Sequence, residues 1–163
     1  MNLWFRLLCY LLTMRSRPAL GILETSRLQF RVLPNDLDIN FHVNNGRYLS
    51  LMDLGRLDLI GSTGMLKVAL RLGWRPIVGS LWMRYIRPLR LGQAFRIETR
   101  LLGWEGKWFY LEQRFYSGSQ LVADGLVKAL FVDKRGSLTC EEVLGHINYA
   151  EPSPPLPATA SRL

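Results

Sequence analysis

The sequence predicts an α+β domain in which an antiparallel sheet of about five strands packs against one long helix. Three observations lead there. A short apolar–polar alternation comes first, a polar loop followed by a broad apolar stripe at helical spacing comes second, and the chain from Ile77 to Val132 then changes to strand-like patterning. At 163 residues the chain fits one compact domain, and 48% hydrophobic with 21% charged residues excludes general disorder.

The first strand runs from Leu28 to Val32 and closes at the turn-forming cluster Pro34-Asn35-Asp36. A helix is expected from Asn44 or Asn45, because either amide side chain can cap free backbone N–H groups. Tyr48, Leu51, Met52, Leu54, Leu57, Leu59 and Ile60 form its apolar stripe, and Gly61-Ser62-Thr63-Gly64 ends it. A shorter helix from Met65 to Leu72 stops at Gly73, a residue that tolerates positive φ. The runs Ile77–Arg87, Phe95–Leu101, Lys107–Tyr116 and Leu121–Val132 read as an antiparallel meander, with turns at Pro88 to Gly92, Gly103 to Gly106, Ser117-Gly118-Ser119 and Asp133 to Gly136.

Two flanking segments bracket this domain, giving an apolar helical segment over 1–24, the domain over 25–149 and a Pro-rich tail over 150–163. The uninterrupted apolar run Leu7 to Leu12 is far below the roughly 20 residues needed to span a bilayer. Met14-Arg15-Ser16-Arg17-Pro18 follows it directly, which does not suit a cleaved signal peptide. On a helical wheel Leu3, Leu7, Tyr10, Leu11 and Met14 share one face and Arg6, Thr13 and Arg17 the other. Such a helix either lies on anionic lipid, making peripheral membrane contact through residues 1–17, or docks on its own protein. The expected location is cytoplasmic. Cys9 and Cys140 lie in opposite terminal segments, so neither a disulfide framework nor a zinc site is suggested.

The stretch Asn35 to Asn45 gathers two carboxylates, an imidazole and several amides directly before a helix N-terminus. A helix start can hold a developing oxyanion, and a nearby carboxylate can attack or deprotonate water. The same residues also suit a purely structural role, with Asp36 and Asp38 in Asx-turns, an Asn cap, and His42 as a satisfied buried ring.

Their order carries further information. Asp36, Asp38, His42, Val43, Asn44, Asn45 and Tyr48 give D-x-D-x-x-x-H-V-N-N-x-x-Y, which resembles the signature of the hotdog-fold acyl-CoA thioesterases of the 4-hydroxybenzoyl-CoA thioesterase-like group. Tyr85-Ile86-Arg87-Pro88-Leu89-Arg90-Leu91-Gly92 resembles the Y-x-x-P-x-x-x-G strand turn of the same families. The similarity covers Thr25 to Asp133 and agrees with the independently read order of elements. It implies a hotdog fold, a homodimer or dimer of dimers with its cleft at the subunit interface, and hydrolysis of a hydrophobic acyl-CoA thioester to free acid and coenzyme A. Coenzyme A would be part of the substrate, with no cofactor and no metal. An acyl-carrier-protein thioester is a further substrate option, and the rival reading is a non-catalytic acyl- or lipid-binding dimer.

Carried over by position, the family's catalytic aspartate falls on Asp38, as general base or nucleophile. Asp36 ranks second: strand-like spacing would put both carboxylates on one side, and its alternative role is to orient the loop by accepting backbone N–H bonds. His42 either positions Asp38, contacts the thioester or serves structurally, and Asn44, Asn45 and Gly46 are the candidates for holding substrate or oxyanion. The family commonly has glycine before H-V-N-N where this chain has Phe41, which is expected to alter the backbone approach there. Asp53 on the helix is an alternative base, but its i, i+3 spacing to Arg56 favours an ion pair, with Asp58 nearby.

Lys+Arg 21 against Asp+Glu 13 gives +8. The excess is mostly arginine, and bidentate guanidinium contacts suit phosphates, so Arg84, Arg87, Arg90, Arg96 and Arg100 are candidates for the nucleotide end, against a solvated strand face. Alternating charge at Arg96, Glu98 and Arg100 forms no single-sign stripe, and nucleic-acid binding is not expected. The largely aromatic set Trp82, Met83, Tyr85, Trp104, Trp108, Phe109 and Tyr110 reads as core and dimer contacts or as an acyl tunnel.

Overall fold

Phe95, Ile97, Thr99 and Leu101 are buried while Arg96, Glu98 and Arg100 alternate with them toward solvent, so one face of this strand meets the core. The strand belongs to a five-stranded antiparallel sheet in the computed structural model, which describes residues 2–13 and 17–163. The elements run α1 (Asn2–Thr13), β1 (Ser26–Arg31), a 3₁₀ turn (Pro34–Asp36), α2 (Asn45–Ser62), α3 (Met65–Leu72), β2 (Arg75–Tyr85), β3 (Ala94–Glu105), β4 (Trp108–Ser117), β5 (Gln120–Val132) and α4 (Cys140–Gly145).

The strand order is β1-β3-β4-β5-β2. β3, β4 and β5 form the expected meander, but β2 is displaced from it: it crosses to the far side and pairs with β5, Arg75 opposite Val132 and Tyr85 opposite Ala123. β1 takes the place beside β3, Ser26 opposite Thr99 and Arg31 opposite Ala94. Both β1 and β2 are therefore edge strands.

α2 packs on one sheet face through Tyr48, Leu51, Met52 and Leu59, and the same core includes Ile97, Phe115 and Val127. Its closest approach is at Gly55, where a Cβ would stand 2.6 Å from Thr99 Oγ1 and 2.7 Å from Gln113 Nε2. A single antiparallel sheet with its long helix across one face is the hotdog arrangement. The cap positions are as expected: the Asn44 side chain accepts from the Gly46 amide at 2.9 Å, and Gly73 ends α3 at φ 69°.

The N-terminal helix forms with a different face inward. Arg6 and Tyr10 are buried and Leu7 is half-buried against the group formed by Tyr10, Leu28 and Leu54. Trp4, Phe5, Leu8, Leu11 and Leu12 face outward. The expectation of an outward Arg6 and an inward Leu11 is corrected: the arginine turns in because a buried carboxylate receives it. Met14, Arg15, Ser16 and the Leu3 side chain lie outside the described residues.

α4, unforeseen in the sequence, starts at Thr139, whose side chain accepts from the Glu142 amide at 3.1 Å. The Pro-rich tail is draped over the sheet, with the Trp104 amide donating to Ser153 Oγ at 2.8 Å and Arg162 over the Trp82 ring. Cys9 is exposed and Cys140 buried, both free, and burial pushes the Cys140 thiol up to about 12.

Candidate active site

The chain between β1 and α2 is a small hairpin hung from Asp36. Its 3₁₀ turn closes when the Asp36 amide donates to Leu33 O at 2.9 Å, and the Leu33 amide returns a bond to Asp36 Oδ2 at 2.9 Å. Arg6 Nη2 reaches the same oxygen at 2.6 Å and Arg47 Nε reaches Oδ1 at 2.9 Å. Burial pulls the Asp36 carboxyl upward most, but the Leu33 amide and the two arginines outweigh it and hold the carboxyl below its ordinary value. The Asp36 carbonyl accepts from the Asn44 amide at 2.9 Å, Leu37 bridges to Val43, and the Asp38 amide donates to His42 O at 3.0 Å. The hairpin tip turns at Phe41.

Phe41 sits at φ 58°, in the left-handed region that favours glycine, and its side chain is 80% exposed. The backbone path that a glycine would allow is therefore retained, at a strain cost of about 1–2 kcal/mol for a residue with a Cβ. The bulk expected to disturb the loop is directed outward.

Asp38 and His42 come together on this hairpin. Asp38 Oδ1 accepts from the Asn40 amide at 2.8 Å, and Oδ2 lies 3.6 Å from His42 Nδ1. The Asp38 side chain is 20% exposed, and the His42 ring lines a hollow of about 250 Å³ together with Asn45, Tyr48, Tyr85, Arg87 and Pro88. Tyr48 forms its buried wall, edge-on to Tyr85 at 5.3 Å and to Phe115 at 5.0 Å, and burial pushes its phenol up to about 12. Tyr85 Oη donates to Asn45 O at 3.1 Å, tying β2 to the first turn of α2.

The remaining candidates fall elsewhere. Asp36 is 1% exposed, enclosed by two arginines, and does not line the hollow; its placement beside Asp38 is corrected because a 3₁₀ turn, not a strand, ends at Asp36. The Gly46 amide is occupied by Asn44 Oδ1, and Asn44 itself is the helix cap. Among the described residues the Asn45 amide has no internal acceptor, which leaves it as the first-turn donor nearest the hollow.

A larger cavity of about 360 Å³, which the sequence did not reveal, lies between α2 and the sheet. Leu7, Leu57, Ile60, Ile77, Phe109 and Leu111 help to line it, and Asp53 and Arg56 supply its charge. Asp53 is ion-paired with Arg56, and Arg56 Nη1 also donates to Gln113 Oε1 at 2.7 Å. Of the aromatic set, Phe109 lines this cavity and Tyr85 the hollow, while Trp104 and Tyr110 are buried. Among the arginines, Arg84 pairs bidentately with Asp124, Arg96 with Glu98 and Arg100 with Glu112. Arg87 and Arg90 form no ion pair among the described residues, and Arg87 lines the hollow. Within the same limits no cluster of His, Cys, Asp and Glu can hold a metal ion, and no helix is long and apolar enough to cross a membrane.

Residues 32–163 match the thioesterase-like superfamily. The chain belongs to that superfamily. This thioesterase-like chain is 36% identical over 131 residues to "Protein THEM6" of Danio rerio, covering 80% of itself and 61% of that protein. It therefore spans about three-fifths of that relative's length. The probable thioesterase YbaW from Escherichia coli superposes with a TM-score of 0.69 at 26% identity, over 75% of this chain and 95% of that one. SAV2348 from Staphylococcus aureus, solved in complex with CoA, shares the fold at a TM-score of 0.68 and 18% identity, over 85% and 93% of the two chains. The superfamily match begins at residue 32, so α1 and β1 precede it.

Proposed function

We propose that this thioesterase-like protein hydrolyses acyl-CoA thioesters, with Asp38 as the base that activates water. The observation that carries this reading is the Asp38–His42 pair, 3.6 Å apart, with the His42 ring on the wall of a hollow beside the first turn of α2. A thioester carbonyl in that hollow meets water held at the carboxylate. Asp38 takes the proton as the water oxygen bonds to the carbonyl carbon, and the oxyanion accepts from the Asn45 amide at the positive end of α2. Collapse breaks the C–S bond, and the proton returns to the departing thiolate. No strong acid is needed for so good a leaving group.

Exposed Arg87 at the hollow, without an ion pair among the described residues, offers a guanidinium for phosphate, and the complex of SAV2348 with CoA supports a CoA carrier for this fold. A second copy of the chain fits the free edge of β2, where Ile77, Val78, Tyr85 and Ile86 remain exposed. The outward apolar face of α1, Trp4, Phe5, Leu8 and Leu12, supports peripheral contact with a lipid surface.

Initial rates on a panel of straight-chain and aromatic acyl-CoA thioesters test the activity. Hydrolysis that is lost in folded Asp38→Asn upholds the reading. Saturable acyl binding by the wild type without any hydrolysis replaces it with the non-catalytic binder. Flotation of the full chain with anionic liposomes, wild type against Trp4→Ser/Leu8→Ser on the outward face of α1, tests the membrane contact, and equal partitioning removes it.

A further inference from the structure

Two buried carboxylates of the domain are met by arginines from the N-terminal segment, ahead of the superfamily match that starts at residue 32. Arg6 reaches Asp36, and Arg17 Nε stands 3.4 Å from Asp58 Oδ1. The two cases differ in what the carboxylate holds. Asp58 accepts from Ser26 Oγ at 2.5 Å and fastens β1 to α2, away from the hollow. Asp36 is the root of the hairpin that carries Asp38 and His42.

Arg6 is 7% exposed, an arrangement that a long cationic side chain adopts only with its charge paired. Its Nη2 donates to Asp36 Oδ2 at 2.6 Å and to Arg31 O at 2.9 Å, and its guanidinium lies over the Phe30 ring at 5.4 Å. One side chain thus joins the last residue of β1 to the turn that follows it. Arg47, from the first turn of α2, takes the other Asp36 oxygen. The Asp36 carbonyl then fixes Asn44, and the Asp38 amide and His42 carbonyl close the next rung.

We propose that Arg6 is a positioning residue for the active-site hairpin, acting through Asp36 to hold the Asp38–His42 pair, whose His42 ring lines the hollow. Without Arg6, a carboxylate that is 1% exposed loses the charged partner of Oδ2, and the cheapest relief is for the Pro34–Asp36 turn to swing Asp36 toward water. That movement carries the Asn44 and Asp38 rungs with it. The N-terminal helix is then part of the catalytic unit and not a detachable appendage, while its apolar outer face remains free. The role in turnover rests on the thioesterase reading; the structural hold on the hairpin does not.

The test uses the full chain with Arg6→Met, Arg6→Lys and Arg6→Met/Asp36→Asn, measuring acyl-CoA hydrolysis and amide hydrogen exchange. Arg6→Met is expected to lower kcat by about tenfold or more while KM changes by less than about threefold. Exchange at Asn40 and Asn44 should rise by about tenfold with Phe115 in β4 unmoved, and Arg6→Lys should recover most of kcat. If Arg6→Met does not fold, the double variant, which lacks the stranded carboxylate, replaces it and should fold with kcat still lowered. Wild-type kcat and hairpin exchange in either variant overturns the proposal, as does an exchange increase equal in the hairpin and β4. If the wild type hydrolyses none of the thioesters, the functional reading fails and the exchange data still decide the hold of Arg6 on the hairpin.

Discussion

Asp38 and Asp36 are two residues apart in sequence and lie in opposite electrostatic settings. Asp36 is enclosed and doubly paired with Arg6 and Arg47, whereas among the described residues Asp38 meets the Asn40 amide and the His42 ring, 3.6 Å from its second oxygen. The inner carboxylate is committed to ion pairs, and the outer one keeps a side chain that is 20% exposed.

Asp38→Asn is accordingly expected to cut kcat by about 10²–10⁴-fold, the usual contribution of a positioned base, with little change in Tm. Steady-state rates and thermal melts check both halves. Single turnover in ¹⁸O-labelled water separates base from nucleophile: a general base puts the label in the acid product, while a mixed anhydride opened by water at the Asp38 carboxyl leaves the label in Asp38 and the acid unlabelled.

Asp36→Ala should act on stability first. It strands Arg6 in the core, and breaking a buried pair costs about 3–5 kcal/mol. The pH dependence has a definite sign. The folded Asp36 carboxyl is depressed below its ordinary 3.8, so its stabilisation is complete above that value and is lost as pH falls through the lower folded value. The wild type should therefore lose stability below about pH 4, and Asp36→Asn should show a shallower loss there, measured by denaturant midpoints across that range.

Local chemistry explains which features were legible. The limits of α2 and α3 follow from Asn44 as a cap and Gly73 at positive φ, both readable from neighbouring residues. The partner of β2 was not, because Arg75 meets Val132, more than fifty positions away, and no local pattern distinguishes β5 from β3 as its neighbour. The inner face of α1 was hidden for the same reason. An arginine on an apolar helix reads as outward unless its buried acceptor is known, and Asp36 lies 30 residues further on. In the site, His42 and Asn45 of the H-V-N-N run line one hollow and Asp38 pairs with His42, but the 3₁₀ turn at Pro34 sent Asp36 elsewhere.

Gly55→Ala probes the contact between α2 and the sheet. Its Cβ would stand 2.6 Å from Thr99 Oγ1 and 2.7 Å from Gln113 Nε2, and both side chains are wholly buried. Gln113 is held by Met52 O and Thr99 Oγ1, each at 3.0 Å, so it cannot yield without breaking a bond. A loss of about 1–3 kcal/mol is expected despite the better helix propensity of alanine, read as a lowered denaturant midpoint with unchanged slope.

Arg87 makes the last prediction, on the carrier end of the substrate. It is exposed on the wall of the hollow, without an ion pair among the described residues, in contrast to Arg84, whose guanidinium is committed to Asp124 at 2.8 and 2.9 Å. A charge-assisted bond to a phosphate contributes about 1.5–3 kcal/mol, so Arg87→Ala should raise KM for acyl-CoA by about tenfold or more with kcat nearly unchanged. The same acyl group on a pantetheine thiol, which lacks the nucleotide phosphates, should show no such penalty, and Arg84→Ala should affect neither substrate. An equal loss on both thioesters would move Arg87 from phosphate recognition to shaping the hollow itself.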